Sequence, residues 1–224
     1  MDIRRKLMKI AGKGDFQLDD RIPTLYIVRL CHKYGWMMVR GSIKHFKGVF
    51  IGRNVKLYCP GLLSIGHGTK IHDNVKIDAL STDGIRIGNN CVIGDNSKIE
   101  ATGSLAHLGK GVCIGNRSTF GSDCYFGAAG GITIGDDVVA GQYIRFHSEN
   151  HNYNDLSKLI KDQGVSHKGI QIGNNCWIGA GAVFLDGARL GDGCVVGANS
   201  VITKSFPPNS VIAGVPAKVI KVRE

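Results

Sequence analysis

Residues 172–201 read IGNNCW IGAGAV FLDGAR LGDGCV VGANSV, five hexapeptides in succession. Each opens on a large apolar residue (Ile172, Ile178, Phe184, Leu190, Val196), and the beat continues to Ile202. Each places a small residue fifth: Cys176, Ala182, Ala188, Cys194 and Ser200. A helix repeats its faces about every 3.6 residues and a strand every second one, so neither alone carries a period of six. A chain winding as a triangular coil does, with six residues to a side. The large residue points inward and the small one fills the gap beside it, which is a parallel β-helix. Gly, Asn and Asp crowd the second to fourth places, where the chain bends and these residues accept positive φ at low cost.

Working outward, the beat recurs upstream in blocks: Ile51 and Leu57; Ile65, Ile71 and Ile77; Ile87, Ile93 and Ile99; Ile114, Phe120 and Phe126; Ile134, Ala140 and Phe146. With rungs about 4.8 Å apart, six or so coils predict a prism on the order of 30 Å tall. Short phase jumps, such as DALSTDGIR, are corner insertions. One insertion is long, at 147–169, and a solenoid gains no core from it, so its expected role is functional. The expected fold is an all-β solenoid over 49–206 with that external loop, preceded by a basic segment at 1–48 and followed by a tail at 207–224.

The chain has 224 residues, with 32 Gly, 5 Pro and no three-residue period, which excludes a collagen-like fibre. No apolar run reaches the roughly 20 residues that cross a bilayer, and no leader pattern opens the sequence, so the expected location is cytoplasmic. Of seven cysteines, Cys91, Cys124, Cys176 and Cys194 take the small fifth place and are read as core filler. There is no CxxC pair, so a structural zinc is not expected. The net charge of +10 calls for an anionic partner. The basic residues form no aromatic-interleaved stripe of the kind that tracks nucleic acid, whereas Lys204, Lys218, Lys221 and Arg223 near the C-terminus suit a compact polyphosphate.

The opening MDIRRKLMKIAGKG is basic, and the spacing predicts a helix over 24–40, starting just after Pro23 and weakened by Gly35. Leu25, Val28, Cys31, Trp36 and Val39 fall on one side, with Arg29 and Lys33 near its boundary. Two readings stand: a cap on the open end of the solenoid, or a segment in peripheral contact with a membrane surface.

The hexads, the NNCWIG segment and the ending ITKSFPPNSVIAGVPAKVI resemble the hexapeptide-repeat acyltransferase superfamily, over roughly residues 110–220. Within it the chain is similar to the galactoside, maltose and xenobiotic O-acetyltransferase group and to polysaccharide O-acetyltransferases. The resemblance implies a left-handed coil, a homotrimer with clefts between prisms, acetyl-CoA as acyl donor, no metal, and a sugar or glycan acceptor. It places the catalytic histidine of the long loop at His151, in RFHSENHNYND. An alcohol is a weak nucleophile at neutral pH, and an imidazole can take its proton as it attacks a thioester. His147 is the competing candidate, as an orienting or acceptor-contacting group, and either Glu149 or Asp155 is a candidate to hold the other ring nitrogen of His151.

For the donor, the resemblance assigns close backbone contacts to Ala180 and Ala198, the nucleotide end to Thr203 and Lys204, and the phosphates to Lys218 and Lys221. Trp177 is placed in the donor groove or at a subunit interface. An oxyanion donor is expected near Gly179 or a corner amide. Gly121 and Ala129 stand where sugar-acetylating members often carry Asn and Asp, with Ser122 and Asp123 nearby as weak acceptor contacts. A simple free sugar is therefore disfavoured against a sugar of a surface polysaccharide, its lipid-linked precursor or a nucleotide sugar. N-acetylation of an amino or nucleotide sugar is the neighbouring alternative. A zinc enzyme of the γ-carbonic-anhydrase type and a non-catalytic trimeric scaffold are the alternatives of other classes.

Overall fold

The computed structural model describes Asp19 and residues 21–224; the basic run at 1–14 lies outside the described residues. The chain forms a left-handed parallel β-helix, with one helix at its start and a hairpin at its end. Strands of two or three residues recur on three faces, each hydrogen-bonded in parallel to the strand one coil below. The first face runs from Phe50–Ile51 to Val195–Val196, the second from Lys56–Tyr58 to Val201–Ile202, and the third from Leu63–Ile65 to Ser205–Phe206.

Register follows the hexad beat. On the second face Phe126, Phe146, Phe184 and Ile202 lie in register and wholly buried. Stacking fixes that column further: the Phe126 and Phe146 rings lie 4.8 Å apart and those of Phe146 and Phe184 5.1 Å apart. Cys91, Cys124, Cys176 and Cys194 fill the small places and are buried. Their thiols point at carbonyls of the corners, as Cys91 Sγ does at Gly115 O, 2.9 Å away. Burial raises the Cys124 and Cys176 thiols to about 11. Corner asparagines adopt the positive φ the sequence anticipates, among them Asn74, Asn96, Asn175 and Asn199. The side chains of Asn54, Asn74, Asn96 and Asp123 form a hydrogen-bonded ladder up one corner.

The helix spans Thr24–Ile43 and covers the first coil. Its packed side is Ile27, Met37 and Gly41, and Tyr34 meets Phe50 edge-on. A Cβ on Gly41 would run into the Val49 carbonyl, so glycine there lets helix and solenoid touch. Arg40 Nε donates to Ile51 O at 2.8 Å. The expected side is thus corrected. Leu25, Val28, Trp36 and Val39 are 45 to 61% exposed, and Cys31 is half-buried. Both sides of this helix are apolar, and the one bearing Gly41 wins because only it allows close approach.

At the other end residues 207–224 do more than trail. Ser210–Gly214 adds a further strand to the first face, and Ala217–Val222 pairs antiparallel to it.

Candidate active site

The long loop leaves the second face after Arg145–His147 and returns to the third at Ile170–Ile172. Both roots are clamped by buried polar side chains. Ser148 Oγ donates to Gly127 O and accepts from Gly130 N, both at 2.9 Å. At the return, the Asp186 carboxylate accepts the backbone N–H groups of Lys168 (2.8 Å) and Gly169 (2.7 Å). A buried carboxylate so placed satisfies donors that would otherwise be orphaned where the chain turns back onto the coil. Between the clamps Asn150–His151 pairs antiparallel with Val165–Ser166, so His151 sits at the base of a short hairpin. The Gln163 amide bridges Asp155 O and Lys158 O. The outer part exposes Tyr153, Leu156, Leu159 and Ile160, with Leu156 98% exposed.

His151 is exposed on the single chain. Neither proposed orienting group holds it. Glu149 Oε2 lies 2.7 Å from His167 Nε2, and Asp155 accepts from Ser157 N and Oγ. Asp155 is drawn to its own turn because its backbone neighbours offer donors two residues on. His147 has the built surroundings. Its ring lies 5.5 Å from that of Tyr125, whose hydroxyl donates to Glu100 Oε2 at 3.2 Å. Glu100 in turn accepts from Lys76 Nζ at 2.8 Å. Gly127, in register between Glu100 and His147, makes room for the Tyr125 ring, which a Cβ there would strike. Burial, and then the nearby Arg145 charge, pull the His147 pKa below the ordinary imidazole value. Lys76 holds the Glu100 carboxyl below its usual range.

The residues expected at the donor site are spread over the coil. Gly179 packs on the Ala198 backbone, as Gly141 does on that of Ala180, so the two alanines stack at the corner joining the first and second faces. Ser122 and Asp123 occupy this corner two coils and more below. Trp177 lies on the first face between Val139 and Val195, 59% exposed. Lys218 and Lys221 are exposed on the C-terminal strand beside that face. Thr203 and Lys204 sit at the corner joining the second and third faces, where Lys204 Nζ lies over the Phe206 ring at 5.7 Å. Trp177 lies on the first face, whereas the loop that carries His151 is rooted between the second and third faces.

Sequence reasoning missed Ser148, Asp186, the Glu100–Tyr125–His147 array and the Glu149–His167 pair. It also missed a shallow groove beside the loop's return, where Arg86, Lys110 and Lys168 gather around Gly84, Gly111 and Gly131. Hexad phase shows which way a side chain points but not which side chains of successive coils meet. Among the described residues of one chain no three His, Cys, Asp or Glu side chains converge as metal ligands. The zinc alternative would need ligands from two chains.

The family model described as bacterial transferase hexapeptide (six repeats) matches residues 169–204, and that described as hexapeptide repeat of succinyl-transferase matches 82–103 and 111–142. The galactoside O-acetyltransferase of Escherichia coli is 34% identical over 134 residues, covering 58% of this chain and 62% of that one. A Mycobacterium tuberculosis relative is 31% identical over 172 residues, 76% of this chain and 53% of that protein. This chain therefore spans between half and two thirds of the length of these relatives. In structure it is similar to AntD, an N-acyltransferase from Bacillus cereus in complex with dTDP and 3-hydroxybutyryl-CoA. The TM-score is 0.54 at 19% identity, over 83% of this chain and 88% of that one, a likeness of fold. The coil has the hexapeptide-repeat β-helix fold, and in sequence the chain resembles acetyltransferases built on that repeat.

Proposed function

We propose that this protein is an acyl-CoA-dependent acetyltransferase that moves an acetyl group from coenzyme A to a sugar hydroxyl, with His151 as general base. The observation that carries the reading is the clamped loop. A coil that closes its core without this segment nevertheless fixes both its roots with buried Ser148 and Asp186 and presents His151 at its base. The sequence likeness to galactoside O-acetyltransferase supports the reaction class.

In this reading His151 takes the proton of the acceptor hydroxyl as its oxygen attacks the thioester carbonyl, and the coenzyme A thiolate leaves. The exposed apolar tip of the loop suits a neighbouring prism, so the working unit is a trimer in which each loop closes the cleft shared with the next subunit. Two chains bring together what one keeps apart: the first-face Trp177 and the alanine corner from one, His151 from the other. Lys218 and Lys221 bind the donor's phosphates as point charges. The groove at Arg86, Lys110 and Lys168 is the competing phosphate site, because it adjoins the loop root. The acceptor is a sugar of a surface polysaccharide or glycoconjugate, and the protein acts in the cytoplasm.

The test is direct binding of acetyl-CoA in the presence of a chelator, followed by thiol release against a panel of sugars, amino sugars and nucleotide sugars. Donor binding with acceptor-dependent thiol release is expected. A protein that binds no donor is a scaffold, and acceptor-dependent release confined to amino sugars replaces O-acetylation by N-acetylation.

A further inference from the structure

The chain's charge is not shared out along the coil. Residues 73–224 hold 14 Lys and Arg against 14 Asp and Glu, so the net +10 belongs entirely to residues 1–72. Within these, residues 21–72 contain nine Lys and Arg and no acidic residue. This is the end of the prism that the helix covers.

The helix presents a second apolar stripe there. Leu25, Val28, Trp36, Val39 and Ile43 recur at helical spacing opposite Ile27, Met37 and Gly41, and all five are 45 to 71% exposed. His32 completes the stripe by accepting a 2.9 Å hydrogen bond at Nε2 from Trp36 Nε1, which leaves the indole with its polar atom satisfied. Arg29 and Lys33 flank it, and Lys44 and Lys47 follow at its C-terminal end, all in the acid-free stretch. We propose that the solvent side of helix Thr24–Ile43 is a docking face for an anionic lipid surface, lying in the interface with its apolar stripe inserted and its basic flanks on the headgroups.

Charge and stripe together select this occupant. A second copy meeting this end would bring the same positive charge against it, and the rest of the coil, being neutral overall, offers no complement. Nucleic acid would satisfy the cations but not an aliphatic stripe of Leu, Val and Ile. An anionic bilayer answers both at once, through buried apolar area and attraction of Lys and Arg to its surface. No helix among the described residues is long and apolar enough to cross a membrane, so the contact is peripheral.

Flotation of the full chain with phosphatidylcholine vesicles, with or without phosphatidylglycerol, tests this. It reads no acyl transfer and is independent of the transferase reading. Binding is expected only to the anionic vesicles, weakening as salt is raised. Val28→Glu with Val39→Glu, and separately Arg29→Glu with Lys33→Glu, should each weaken it by about tenfold or more, with unchanged thermal unfolding. Absence of binding to anionic vesicles at low salt overturns the proposal, as does equal binding to neutral vesicles. Full retention by Val28→Glu/Val39→Glu reduces the contact to charge alone and also overturns it. So does self-association of the wild type that this variant abolishes, or preferential binding of an RNA competitor.

Discussion

His147 and His151 stand four residues apart in one segment and do not share an environment. His147 leans on Tyr125 beside Arg145, whereas His151 is open on the single chain. Because burial and Arg145 depress the His147 pKa, an NMR titration should give its ring a midpoint below the roughly 6.5 of free imidazole. The sign for stability follows: below about pH 6.5 the unfolded chain takes up a proton that folded His147 refuses, so stability falls from there down to the folded midpoint. A midpoint above free imidazole would contradict this packing. The cysteines are distinguished just as sharply. Cys59 is exposed, while Cys124 and Cys176 are buried with thiols raised to about 11. A thiol reagent should label Cys59 in the native protein and reach Cys91, Cys124, Cys176 and Cys194 only on unfolding; rapid native labelling of the four would refute their core placement. At this scale the sequence is legible where the hexad decides direction. The inward cysteines can be read, but the partners of Glu149 and Asp155 cannot, since they depend on how the loop folds on itself.

Among the elements, the loop is clamped at its roots by the buried side chains of Ser148 and Asp186. Its return depends on the Asp186 carboxylate, and Asp186→Ala would leave the Lys168 and Gly169 N–H groups unsatisfied, at about 1–3 kcal/mol. The variant should speed limited proteolysis within 150–168 and lower turnover more than donor affinity, while the coil still melts cooperatively. Unchanged proteolysis would remove Asp186 as the clamp. The existence and bounds of this loop can be read from the break in the beat between Phe146 and Ile172, because the repeat is strict on either side. Its clamps cannot: Asp186 occupies a hexad place where a corner acid is ordinary, and Ser148 lies just past the last repeat. The helix shows the opposite failure. Its start after Pro23 is legible, but with apolar residues on both sides, periodicity alone cannot say which one the solenoid covers; Gly41 decides it by contact.

For the molecule as a whole, the prism follows from the repeat, with register repeating from coil to coil on all three faces, whereas the proposed active unit draws on a second chain. If the donor's phosphates bind at the C-terminal strand, Lys218→Ala with Lys221→Ala should weaken acetyl-CoA binding about tenfold and flatten its salt dependence. Unaltered affinity at low salt, with loss instead on replacing Lys110 and Lys168, would move the phosphates to the groove at the loop root. The central claim is that the loop delivers an imidazole to the acyl-transfer step. Its most direct test compares wild type and His151→Ala in both donor binding and acceptor-dependent thiol release. Turnover should fall by about a hundredfold or more with donor affinity unchanged, because a general base acts in the transition state. Turnover equal to wild type would contradict the account.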